Sequence, residues 1–166
     1  MRRIAMLVCL LPLMLMAQAD IFENRDFQKI YTAQREATLA GTAEVVTIQQ
    51  PATTTGNHFF LDEAAVYCSV DCTFTVERSG TAATTTAFTP APANPGIVAA
   101  KATAFHTSNV GASTVIGKYY VAAGGEKVVN LRAIRLRNGT RDNLTVRTSS
   151  ITGTVRILVR WAEAQP

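Results

Sequence analysis

Charge is scarce in this chain, and the scarcity is the first constraint. Charged residues make up 17% of the 166, against a typical share of about 25%, while hydrophobic residues reach 48%. That balance excludes a disordered polymer, which needs low hydrophobicity and high charge. Aromatics are also few, at 7%, and do not interleave with the arginines. This removes the stacking platforms of single-stranded nucleic-acid binding, so nucleic acid is not an expected partner. The Ala/Leu/Glu/Lys blend of helical proteins is missing; Val, Ile and Thr recur instead in short runs, which points to strands.

Catalytic vocabulary is equally thin. His58 and His106 are the only histidines and share no metal or relay spacing, so each reads as an ordinary strand or loop residue. No C-x-x-C opens a helix and no second ligand pair accompanies the cysteines, against redox and zinc chemistry. No G-x-S-x-G elbow is present, and Gly124-Gly125 and Asn138-Gly139-Thr140 read as turns rather than phosphate-cradling loops. Asp62-Glu63 is the one adjacent carboxylate pair; strand alternation should send the two to opposite faces, so they should not form an acid/base pair. No catalytic, cofactor-binding or metal-ligating residue is assigned, no cofactor is implied, and the chain reads as non-enzymatic.

What is present begins with a hydrophobic N-terminal segment. Arg2 and Arg3 precede an apolar run from Ile4 to Met16, which ends in Ala17-Gln18-Ala19. This is the order of a secretory signal peptide, and the run is too short for a stable span of a bilayer core of about 30 Å. The expected domain plan is a signal or hydrophobic segment at 1–19, an arm at 20–42 and a β-sandwich domain at 43–166. Met16 as the true start is the competing reading, which would leave a cytoplasmic protein. Asp20 to Leu39 is the one stretch with a helical stripe, at Phe27, Ile30 and Tyr31, so the arm is read as a short helix or an extended linker.

From Ala43 onward the chain reads as strands: Ala43 to Gln50, His58 to Ser69, Cys72 to Arg78, Thr81 to Thr89, Ile97 to His106, Ser113 to Ala122, Glu126 to Leu131, Ala133 to Arg137, Leu144 to Thr148 and Thr154 to Trp161. Gly56-Asn57, Ser79-Gly80, Gly124-Gly125, Asn138-Gly139 and Gly153 punctuate them, and the Pro-rich run Pro90 to Gly96 is suited to crossing between sheets. About eight to ten short antiparallel strands at this spacing imply a single all-β domain, a sandwich or jelly roll.

Two features invite a functional reading. Cys68 and Cys72 have equal parity, so a tight hairpin would place their thiols within disulfide reach in an oxidising compartment; two buried, unreactive thiols are the alternative. Residues 131–160 carry seven arginines against Asp142 alone. Alternation puts Arg135, Arg137, Arg147, Arg156 and Arg160 outward, opposite Ile134, Leu136, Val146, Ile157 and Val159. If these strands are neighbours, the arginines line one surface for an acidic subunit surface or a polyanionic glycan, and charge reversal at Arg156 and Arg160 should weaken binding without unfolding the domain. A solvated face that only confers solubility is the bland reading.

Gly41-Thr42-Ala43-Glu44-Val45-Val46-Thr47, Glu77-Arg78-Ser79-Gly80-Thr81-Ala82, Val121-Ala122-Ala123-Gly124-Gly125 and Ile151-Thr152-Gly153-Thr154-Val155 are strand-and-turn phrases. Over Ala43 to Trp161 the chain resembles small β-sandwich virion proteins of tailed bacteriophages. The resemblance implies a capsid decoration, cement or tail accessory subunit, a homo-oligomer binding a larger lattice and located in the virion. Such subunits assemble in the cytoplasm, so a working signal peptide implies instead an exported β-sandwich binding or surface-assembly protein, periplasmic or extracellular.

Overall fold

The computed structural model describes residues 29–51, 58–79, 86–93, 99–106, 112–136 and 142–164. Among them are twelve strands: β1 (Ile30–Ala40), β2 (Val45–Gln49), β3 (His58–Cys68), β4 (Cys72–Ser79), β5 (Thr86–Phe88), β6 (Ala91–Pro92), β7 (Thr103–His106), β8 (Ser113–Val121), β9 (Gly125–Asn130), β10 (Arg135–Leu136), β11 (Asn143–Thr148) and β12 (Thr152–Ala164). They form two six-stranded antiparallel sheets packed as a sandwich. The first runs β10-β3-β12-β1-β6, with β9 also paired to β3; the second runs β5-β7-β2-β11-β4-β8. No helix among the described residues is long and apolar enough to cross a membrane.

Alternation builds the core. In β12, Val155, Ile157, Val159 and Trp161 are fully buried while Arg156, Leu158 and Arg160 are only partly so. Across the gap, Val46 and Ile48 of β2, Phe74 and Val76 of β4, and Leu144 and Val146 of β11 supply the facing layer. Each such aliphatic or aromatic side chain contributes about 1.5–3 kcal/mol on burial. Tyr31 stacks on Trp161 with ring centroids 5.9 Å apart. Glu163 continues the inward parity of Trp161, yet its buried carboxylate is well satisfied: it accepts from the Trp161 indole N–H at 3.1 Å and from the backbone N–H groups of Lys101 and Ala102 at 2.8 and 2.9 Å.

The arm is where the sequence reading needs correction. Ile30 to Ala40 is neither helix nor linker but a full strand, paired along its length with β12 from Ile30↔Ala162 to Ala40↔Thr152. Tyr31, Ala33, Ala37 and Leu39 alternate inward, a period of two that the helical stripe at Phe27, Ile30 and Tyr31 masks. The part of the arm before Lys29, with the hydrophobic segment, lies outside the described residues. The described part of the Pro-rich run, residues 90–93, fits its composition. β5 and β7 belong to the second sheet, and between them Ala91–Pro92 touches the outer edge of the first, pairing only with Tyr31 and Thr32, where a missing N–H is tolerated.

Candidate functional site

The arginines do not share one surface. Arg156 and Arg160 lie on β12 in the first sheet, and Arg147 lies on β11 in the second, so their outer faces are on opposite sides of the sandwich. Arg135 pairs through its backbone with Phe60 on β3, and Arg137 lies outside the described residues. Those with described side chains are matched to acids. Arg156 donates to Glu126 at 3.0 Å and rests 5.4 Å from the centre of the Tyr67 ring. Arg147 donates to Glu77 at 3.2 Å. Arg160 is bonded to Asp62 and stands 3.7 Å from Glu63.

The Arg160 cluster comes from a β-bulge. On β3, Glu63 pairs with Arg160 and Leu61 with Trp161, so Asp62 is passed over and the register shifts. A bulge lets two residues oppose one. Asp62 and Glu63 therefore do not split between opposite faces, as plain alternation requires; both reach Arg160. Asp62 is only 2% exposed, and its second cation is Arg132, which donates at 2.8 Å. The turn that carries Arg132 is tied to the same place, because Leu131 N–H donates to the Asp62 carbonyl.

On the second sheet, Glu77 is the equivalent centre. It is buried and accepts from Thr75 and Ser113 hydroxyls and from Arg147. Burial pushes its carboxyl up, but the bonds from Ser113, Thr75 and Arg147 together outweigh that and hold it below the ordinary glutamate range. At the end of this sheet, Arg78 is paired with Asp142, and hydrogen bonding to that carboxylate raises its pKa further.

Cys68 and Cys72 are joined by a disulfide, with Cα atoms 6.4 Å apart. The turn between them is not a hairpin, since β3 belongs to the first sheet and β4 to the second. The bridge fastens a corner where the chain changes sheets. Gly153 packs against that corner at φ +78°, where a Cβ would meet the Ser69 hydroxyl at 2.6 Å.

Two surface features had no sequence signal. The first is a cleft of about 330 Å³ between β1 and the loop and strand ends facing it. Arg35 sits opposite Ile157 and His106 opposite Val46, both partners being fully buried, so these polar residues hold inward parity. Glu44, just before β2, is 8% exposed and lines the same space. Its Oε1 is 3.8 Å from Arg35 Nε and 3.9 Å from His106 Nδ1. Burial raises the Glu44 carboxyl above its ordinary range; Arg35, His106 and the Val45 N–H draw it back only in part. His106, expected to be an ordinary strand residue, belongs to this group.

The second feature is an apolar flank. β8 ends the second sheet, and its Val115, Ile116 and Tyr120 are 55%, 46% and 60% exposed. Val128 of β9, 54% exposed, is on the outer face of the first sheet opposite Ala65 and is separate from this edge. Among the described residues nothing pairs with the outer side of β8. Comparison with protein-family models, curated proteins and solved structures gives no match to this chain. Among the described residues no group of three His, Cys, Asp or Glu is placed to hold a metal ion.

Proposed function

We propose that this chain is a non-enzymatic assembly subunit that works by self-association and lattice binding, in the manner of virion decoration, cement or tail accessory proteins. The observation that carries the reading is the β8 edge: nine residues, Ser113–Val121, with three large apolar side chains turned to solvent. A long apolar edge strand invites pairing, and natural proteins normally block or cover it. Here Lys118 and the bulge opposite Val76/Glu77 interrupt the edge without removing its apolar character. Such an edge suits one specific contact better than indiscriminate strand addition. The paired arginines speak against the basic residues as the main adhesive, because each described one is already matched by an acid of its own chain.

Sedimentation equilibrium tests this. The protein should be an oligomer, and Ile116→Asp with Tyr120→Asp, both on β8, should dissociate it while leaving far-UV circular dichroism unchanged. A wild-type monomer at high concentration overturns the proposal. The runner-up is an exported binding or surface-assembly module on the same fold, favoured by the Cys68–Cys72 disulfide, since such bonds persist in oxidising compartments. N-terminal sequencing of the natural product separates the two: a chain starting at Asp20 supports export, and one starting at Met16 supports cytoplasmic assembly.

A further inference from the structure

The cleft beside β1 has the features of a ligand site that is independent of the apolar flank. We propose that it binds a neutral saccharide unit, with one hydroxyl lodged between Arg35 and Glu44. Three observations lead there.

The first is an unmet demand for hydrogen bonds. Arg35 Nε and Glu44 Oε1 are both buried atoms without a hydrogen-bond partner. Their separation of 3.8 Å is an ion-pair distance but beyond a hydrogen bond. A buried charged atom left in that condition is costly, and native structures fill such sites. The contrast within this chain is sharp. Glu163 and Asp62 are also buried carboxylates, and each accepts direct hydrogen bonds from nearby N–H groups.

The second is charge balance. Arg35 and Glu44 cancel, and His106 adds no charge when neutral. An anionic ligand would satisfy Arg35 but face the Glu44 carboxylate, and a cation would satisfy Glu44 but face the guanidinium. A group that accepts from Arg35 Nε and donates to Glu44 Oε1 through one atom meets both needs, and an O–H group does so, whether it belongs to water or to a ligand that displaces it. His106 Nδ1 and the Thr42 side chain, on the same walls, offer further positions for neighbouring hydroxyls. A compound with several hydroxyls fits better than one with a single such group.

The third is shape. A cavity of about 330 Å³ lies at the small end of the range of about 300–1,000 Å³ for small-molecule sites, which suits a single ring. Ala37 and Leu39 provide apolar wall for its C–H face. The space exists because β6 covers only Tyr31 and Thr32 of β1, leaving Arg35 to Leu39 at the open rim of the sandwich. An inward charge at a sheet rim can also serve only to discourage strand pairing; that role requires no cavity and leaves no reason for Glu44 to be buried opposite.

The test is a titration of the full chain, nitrogen-15 labelled, with glucose, galactose and N-acetylglucosamine into the millimolar range, followed by nitrogen–proton NMR. Sodium sulfate, methylammonium chloride and acetamide serve as anionic, cationic and amide controls. At least one sugar should give saturable shifts at the amides of Arg35, Ala37, Glu44 and His106, larger than those from any control. Ala37→Leu, which fills the cleft without touching a charge, should abolish them. Glu44→Ala should weaken binding by about tenfold or more, the consequence of losing one hydrogen bond to a charged group. Thermal melts establish that both variants fold; if Glu44→Ala does not, Ala37→Leu carries the decision. Absence of saturable shifts with every sugar, shifts confined to other residues, stronger binding of a control, or shifts retained in Ala37→Leu would each overturn the proposal.

Discussion

Charge reversal at two arginines of β12, Arg156→Glu and Arg160→Glu, should have very different consequences although the side chains are about equally exposed, each at 40%. The difference lies in their partners. Glu126, which receives Arg156, is 44% exposed, so either member of that pair can return to water. Exposed pairs contribute about 0–1 kcal/mol, and the contact with the Tyr67 ring adds about 0.5–1. Arg156→Glu should therefore cost about 1 kcal/mol. Asp62, which receives Arg160, is 2% exposed and cannot rehydrate in place. Losing one of its two cations removes a charge-assisted bond worth about 1.5–3 kcal/mol, and the new carboxylate adds repulsion beside Asp62 and Glu63. Breaking a buried pair outright costs about 3–5 kcal/mol; with Arg132 still in place, about 3 is expected. At urea slopes of about 1–3 kcal/mol/M this lowers the unfolding midpoint by about 1–3 M. Asp62→Asn in the Arg160→Glu background should recover part of the loss, because the repulsion disappears. Equal unfolding free energies for the two reversals, within about 0.5 kcal/mol, would refute the reasoning. The practical consequence concerns the acidic-surface or glycan partner expected from sequence: lost association in Arg160→Glu would report a damaged fold, whereas Arg156→Glu is the clean probe.

Three further outcomes follow from the same geometry. Cys68→Ser should lower stability by about 2 kcal/mol, as expected for a bridge closing so short a loop, without abolishing folding, read by urea melts; mass spectrometry of alkylated, unreduced protein should find both wild-type thiols protected. Glu77, whose folded pKa is depressed, contributes stability that is present above the ordinary glutamate value of about 4.3 and lost as pH falls through the lower folded value; Glu77→Gln should flatten that part of an acid denaturation curve, while Glu44, whose folded pKa is raised, works in the opposite direction. Gly153→Ala should cost about 1–2 kcal/mol, since it combines a positive φ with a Cβ that collides at the Cys68–Cys72 corner, and a thermal melt unchanged from wild type would contradict this.

Much of the architecture was legible because period-two alternation and turn residues are local. Ser113 to Ala122 was expected as a strand and Ser113–Val121 is one; His58 to Ser69 corresponds to His58–Cys68. Parity along β12 also held, with Val155, Ile157, Val159 and Trp161 buried. Parity says in or out within one strand, however, and nothing about which sheet holds the strand. That is why Arg147 and Arg156, both outward, lie on opposite faces of the sandwich. Bulges are hidden for a related reason: a bulge belongs to a pair of strands, so neither His58–Cys68 nor Thr152–Ala164 alone reveals that Asp62 is the unpaired residue.

The residues that broke the sequence rules carry the most information. Arg35 interrupts the inward series Tyr31, Ala33, Ala37, Leu39 of β1. Glu163 interrupts β12 in the same manner. A charge at an inward position must be satisfied by something, or the fold bears the cost of burying it. For Glu163 the satisfying groups are the backbone N–H groups of Lys101 and Ala102 and the indole of Trp161, so its role is complete within the fold. Arg35 and Glu44 stand together with open hydrogen-bonding positions beside a cavity. The two interruptions look alike in sequence, and only the one at Arg35, beside Glu44, leaves hydrogen-bonding positions that a molecule from outside the chain can meet.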